Sequence, residues 1–97
     1  MAYEIILAPE AIQDLQQLPA VHCSSITAAI QTHLRHQPRQ ESKSRIKRLR
    51  GLRQPEYRLR VDDFRVFYDV TEAEVHILAV VGKRLTYEWL KQHGIAL

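Results

Sequence analysis

The sequence predicts an α+β fold: a small, antiparallel-rich sheet of four strands, with an N-terminal helical hairpin packed on it and a short C-terminal helix. Three observations lead there. Apolar residues between positions 8 and 34 recur at three- and four-residue steps, whereas from position 57 they alternate with polar ones. The order along the chain is a strand, two helices, then strands and a last helix, which places the helices together against one face of a sheet. At 97 residues, with 45% hydrophobic and 26% charged side chains, there is room for one compact core, so a single domain over residues 1–97 is expected.

Residues 3–7 hold Ile5, Ile6 and Leu7 in a short, partly β-branched run that reads as a strand. Pro9 fits a helix first turn, where its missing N–H is not needed, and Glu10 complements the macrodipole. Ala8, Ala11, Ile12, Leu15 and Leu18 follow at helical spacing until Pro19 closes the segment. A second helix over 20–35 carries Ile26, Ala29, Ile30, His33 and Leu34 on one face, and the polar stretch 37–44 is a loop. Residues 44–53 predict a strand through Ile46, Leu49 and Leu52 that Gly51 weakens. Residues 57–61 and 64–68 alternate strictly around Asp62-Asp63, which predicts a hairpin pairing Val61 with Phe64, Arg60 with Arg65, Leu59 with Val66 and Arg58 with Phe67. Its core side is then Leu59, Val61, Phe64, Val66 and Tyr68. Residues 74–81 are apolar on both faces, as a covered central strand would be, and His76 is expected there as a satisfied core residue. A helix over 84–93 ends at Gly94.

No apolar run approaches membrane-spanning length, and the opening Met1-Ala2-Tyr3-Glu4 lacks the features of a secretory leader, so a cytoplasmic protein without membrane contact is expected. The lone Cys23 has neither a disulfide partner nor a basic activator. Five histidines (His22, His33, His36, His76, His93) form no ligand set, so no metal or other cofactor is expected.

Charge is informative by position. Residues 35–65 carry eleven basic side chains against four acids, a local +7, within a chain whose total is +3. Such a concentration is the footprint of a surface that meets phosphates; the alternative is a solvated basic face. The hairpin register sets Arg60 directly across from Arg65, an unfavourable like-charge pair by about 0.2–1 kcal/mol, and residues that break a local rule in this way are candidates for function. Here the alternative is a surface network in which Asp62, Asp63 and Asp69 neutralise the arginines. Arginine grips phosphate through a planar fork that stays charged at any biological pH. Phe67, Tyr87 and Trp89 are candidates to stack a base, with a core role as the alternative for each.

Four segments, Arg48-Leu49-Arg50-Gly51, Tyr57-Arg58-Leu59-Arg60, Arg65-Val66-Phe67-Tyr68 and Val80-Val81-Gly82-Lys83-Arg84, together resemble the RelE/ParE superfamily of bacterial toxins, in the right order and over nearly the whole chain. The resemblance implies the toxin of a type II toxin–antitoxin system, with a cognate antitoxin that winds around it. The likeness is closer to RelE-like members, which implies ribosome-dependent mRNA cleavage without metal; the ParE-like alternative poisons DNA gyrase and cuts no RNA. By position, Arg58 and Arg60 fall where RelE-like toxins carry a pair of strand lysines, Arg65 where they hold a phosphate-binding arginine, and Arg84 where a second arginine follows the strand end. These four, with Tyr87, are the expected catalytic residues, and Lys47, Arg48, Arg50, Phe67 and Lys83 the expected RNA-binding ones. Three departures stand out: arginine replaces lysine at both strand positions, which keeps the electrostatic role but makes a poor general base, Tyr87 lies nearer to Arg84 than the family's late tyrosine does, and the hairpin is shorter than in typical RelE-like toxins.

Overall fold

The computed structural model describes residues 2–97; Met1, the first residue of the opening read for a leader, lies outside them. The elements in order are β1 (Glu4–Leu7), α1 (Pro9–Gln16), α2 (Ala20–Leu34), β2 (Ile46–Arg48), β3 (Leu52–Gln54), β4 (Tyr57–Val61), β5 (Phe64–Val70), β6 (Glu74–Gly82), a 3-10 turn at Lys83–Leu85, α3 (Thr86–His93) and β7 (Ile95–Ala96). The α+β class holds, with one strand more in the main sheet than expected: its order is β1-β6-β5-β4-β2, with β3 and β7 forming a separate two-stranded ribbon. Among the described residues β1 and β6 run parallel and the other pairs are antiparallel.

The expected strand over 44–53 is split in two. Gly51 adopts φ +79°, a conformation that disfavours side chains, and the turn it makes separates β2 from β3. The β4–β5 hairpin has the register read from the sequence, with Arg60 opposite Arg65 and Arg58 opposite Phe67; Asp62 takes φ 52° in its turn.

One face of the sheet packs on α1 and α2. Leu59, Val61, Val66, Tyr68, Val75 and Ile77 meet Ala11 and Leu15 of α1 and Ile26, Ile30 and Leu34 of α2 in the main core. Each such fully buried Ile or Leu contributes about 2 kcal/mol of hydrophobic stabilisation. Tyr68 anchors the loop over 37–44, donating its hydroxyl to the Pro38 carbonyl at 2.7 Å, and burial beside Tyr57 pushes that hydroxyl's pKa well up.

The helices are not gathered on one face, which corrects the sequence reading. α3 lies across the opposite face, where Trp89 and Leu90 pack on Phe67, Ala79 and Val81. A bulge at Leu78 makes this possible: Phe67 pairs with Ala79 while the next residue, Tyr68, pairs with Ile77. The extra residue shifts the alternation, so Val75, Ile77 and Val80 serve the main core while Ala79 and Val81 serve the α3 side. The double-sided apolar run at 74–81 is thereby explained. His76 is not a core residue: its side chain is 38% exposed and its Nε2 lies 2.9 Å from Glu74 Oε1.

Candidate nucleic-acid interface

Strand alternation turns Arg58, Arg60 and Arg65 away from the main core, onto the α3 side of the sheet, and the pairing of Lys47 with Arg58 adds a fourth cation from β2. The guanidinium groups lie close enough for the charge of Arg60 to act on both Arg58 and Arg65. Arg58 has its pKa lowered by burial first, then by Arg65 and Arg60; Arg65 is lowered by burial and by Arg60, with Asp63 acting in the opposite direction. None of the three forms an ion pair among the described residues, and Asp63 offsets only part of the charge around Arg65. Among the described residues the ion pairs are Arg48–Glu56 and His76–Glu74, and Asp69 instead accepts from Gln54 Nε2 at 2.6 Å and the Glu56 N–H at 2.8 Å. The surface network that could have quenched the arginines does not form.

The three arginines are not equivalent. Arg60 is exposed. Arg58 is half-buried, and its Nε is a buried donor that has no hydrogen-bond partner among the described residues. Arg65 is only 8% exposed, and its Nη1 donates to the carbonyls of Asp62 at 3.0 Å and Phe64 at 2.9 Å. Arg65 therefore secures the hairpin turn while adding its charge to the face.

Other expected site residues lie elsewhere. Phe67 is 1% exposed and stacked on Trp89 with centroids 4.8 Å apart and planes 2° from parallel, so Phe67 offers no free face to a base and Trp89 has one face taken up by it. This corrects the expectation of Phe67 as an RNA-binding platform; the covering residue arrives from α3, which the sequence reading put on the other side. Arg48 sits on the opposite face of the sheet, bridged to Glu56 Oε2 at 3.3 Å and over the Tyr57 ring at 5.2 Å, which takes it away from the arginine face. Arg50 lies in the exposed turn before Gly51. Lys83 and Arg84 are exposed and border a hollow of about 780 Å³ with Asp63, Phe64, Gly82 and Leu85, at the turn end of the hairpin. Tyr87 is 74% exposed on the first turn of α3.

The sequence reading passed over Arg45. The Arg60 N–H donates to its carbonyl at 2.8 Å, so it lies beside the arginine face; a β2 strand aligned on Ile46 against Leu59 would have found it.

A five-stranded sheet with a helical pair on one face and an arginine cluster on the other is the architecture of a small toxin of the RelE/ParE superfamily, and the match in sequence assigns the class. Residues 5–86 match the profile of the ParE toxin of type II toxin–antitoxin systems, and the chain belongs to that family. In shape it is similar to the archaeal RelE–RelB complex from Pyrococcus horikoshii OT3 (26% identity, 86% of this chain and 97% of that one, TM-score 0.70). It is also similar to the RelB–RelE antitoxin–toxin complex from Methanococcus jannaschii (20%, 87% and 96%, TM-score 0.67) and the toxin–antitoxin complex RelBE2 from Mycobacterium tuberculosis (22%, 84% and 99%, TM-score 0.69). No curated protein matches the chain by sequence. No helix of the described residues is long and apolar enough to cross a membrane.

Proposed function

We propose that this toxin cleaves messenger RNA on the ribosome, as a metal-independent endoribonuclease restrained by a cognate antitoxin protein. The observation that carries this reading is the buried, unpartnered Nε of Arg58 within a cluster of guanidinium groups that forms no ion pair among the described residues. Protein interiors leave such donors unpaired where a ligand completes them. A phosphate oxygen is the acceptor with the right charge.

In the reaction the substrate 2′-hydroxyl attacks the adjacent phosphorus and the bond to the 5′-oxygen breaks, leaving a cyclic phosphate and a 5′-hydroxyl. Negative charge grows on the non-bridging oxygens, where Arg58 and Arg60 stabilise it and Arg65, fixed by its two carbonyl contacts, contributes from behind. Guanidinium groups carry no lone pair for a metal and hold their protons at neutral pH, so this face supplies charge and not base catalysis. The 2′-hydroxyl proton leaves to water. Lys83 or Tyr87, both exposed, is the candidate to protonate the departing 5′-oxygen, and Arg84 is the candidate to hold a flanking phosphate. Antitoxins accompany the structurally similar toxins, and an acidic or amphipathic antitoxin segment that folds on binding fits the same positive surface here.

A second reading, inhibition of DNA gyrase without nuclease activity, is favoured by the match to the ParE profile and by the lack of a general base among the clustered arginines. Induced expression with and without the antitoxin, with transcript ends mapped, separates the two. Cuts at positions set by the ribosome support the nuclease; intact transcripts with gyrase-dependent DNA breaks support the alternative.

A further inference from the structure

The arginine face continues past Arg60 to the edge of the sheet. Arg45 is exposed, and with Ser44, Arg60 and Asp62 it borders a hollow of about 370 Å³. On its other side it lines a hollow of about 250 Å³ at the end of α2, whose walls include His33, His36 and Glu41. Arg45 thus joins the two. Its positive charge, after burial, holds the His33 pKa below the ordinary value.

The backbone here is fixed without the Arg45 side chain: Ser42 Oγ accepts from the N–H groups of Arg45 and Ile46, both at 3.1 Å. The acids nearby do not claim its charge. Glu41 Oε1 accepts the Arg48 N–H at 2.8 Å, and neither Glu41 nor Asp62 is among the ion pairs of the described residues. Neighbouring strands are about 4.8 Å apart, so positions 65, 60 and 45 span about 10 Å across three strands, more than a single phosphate occupies.

We infer that Arg45 and the two hollows it joins form a second phosphate subsite, holding the backbone of the RNA strand beyond the phosphate gripped by Arg58, Arg60 and Arg65. This rests on the RNA reading above and adds a footprint of more than one nucleotide linkage. A free anion would need one site; two linked sites along an edge suit a chain of phosphates.

The test is fluorescence anisotropy with two uncleavable 2′-O-methyl RNAs, a hexanucleotide and a dinucleotide, over a salt series. Arg45→Gln is expected to weaken the hexanucleotide several-fold, to lower the slope of log K against log salt by about 1, and to leave the dinucleotide unchanged. Arg45→Lys should restore most of the loss. Equal hexanucleotide affinity in wild type and Arg45→Gln overturns the subsite, as does an equal loss on both lengths, or a loss of antitoxin affinity with RNA binding intact. Absence of hexanucleotide binding to the wild type overturns the subsite, and intact transcripts on induced expression overturn the RNA reading beneath it, so the two failures are read by separate measurements.

Discussion

At Arg58 the proposed function opposes stability. A half-buried guanidinium with an unpartnered Nε, facing two like charges, costs free energy that the fold does not recover. Arg58→Met is therefore expected to raise folding stability by about 0.5–1 kcal/mol, solvent screening limiting the gain, and to remove toxicity. Chemical denaturation and a growth assay check both halves. Arg65→Ala should also remove toxicity but move stability the other way: losing two carbonyl contacts to a charged donor costs about 1.5–3 kcal/mol. The arginine cluster was legible in the sequence because strict alternation fixes which residues share a sheet face. The division of labour within it was not, since burial of Arg65 depends on the turn carbonyls it meets in three dimensions.

Among the three α-helices, α3 is the most lightly held. It has no buried residue and docks through Trp89 and Leu90, while the β3–β7 ribbon pins the chain beyond it and Gly94 leaves room for the Leu90 carbonyl that a Cβ there would strike. Trp89→Ala is expected to cost about 2 kcal/mol and to accelerate hydrogen exchange in Thr86–His93 while β4 and β5 stay protected. Exchange monitored by mass spectrometry reads this directly; uniform acceleration across the sheet would contradict it. The hairpin β4–β5, the helical pair and the terminal helix could be read from the sequence because period and punctuation are local signals. The side on which α3 lands could not. It depends on the one-residue bulge in β6, and an apolar run such as Val75 to Val81 gives the same pattern with or without it.

Over the whole molecule, the positive charge gathered in residues 35–65 reaches the end of α2, and this links protonation to folding. His33 has its pKa lowered from 6.5 by burial and by Arg45, so below pH 6.5 the unfolded chain takes up a proton more readily than the folded one. Stability should fall as pH drops from 6.5 until the folded imidazole also protonates, and His33→Gln should flatten that part of the profile. Melting temperatures measured between pH 7.5 and 5 check the sign, with a rise toward acid contradicting it. The bulge at Leu78 carries a last consequence. Removing that one residue leaves composition and charge almost untouched and gives β6 an unbroken alternation, with Val75, Ile77 and Val80 still toward the helical pair and Ala79 and Val81 still toward α3. A single-codon deletion at Leu78 should thus be tolerated, whereas the same deletion at Val80 would bring Val81 round to the helical pair.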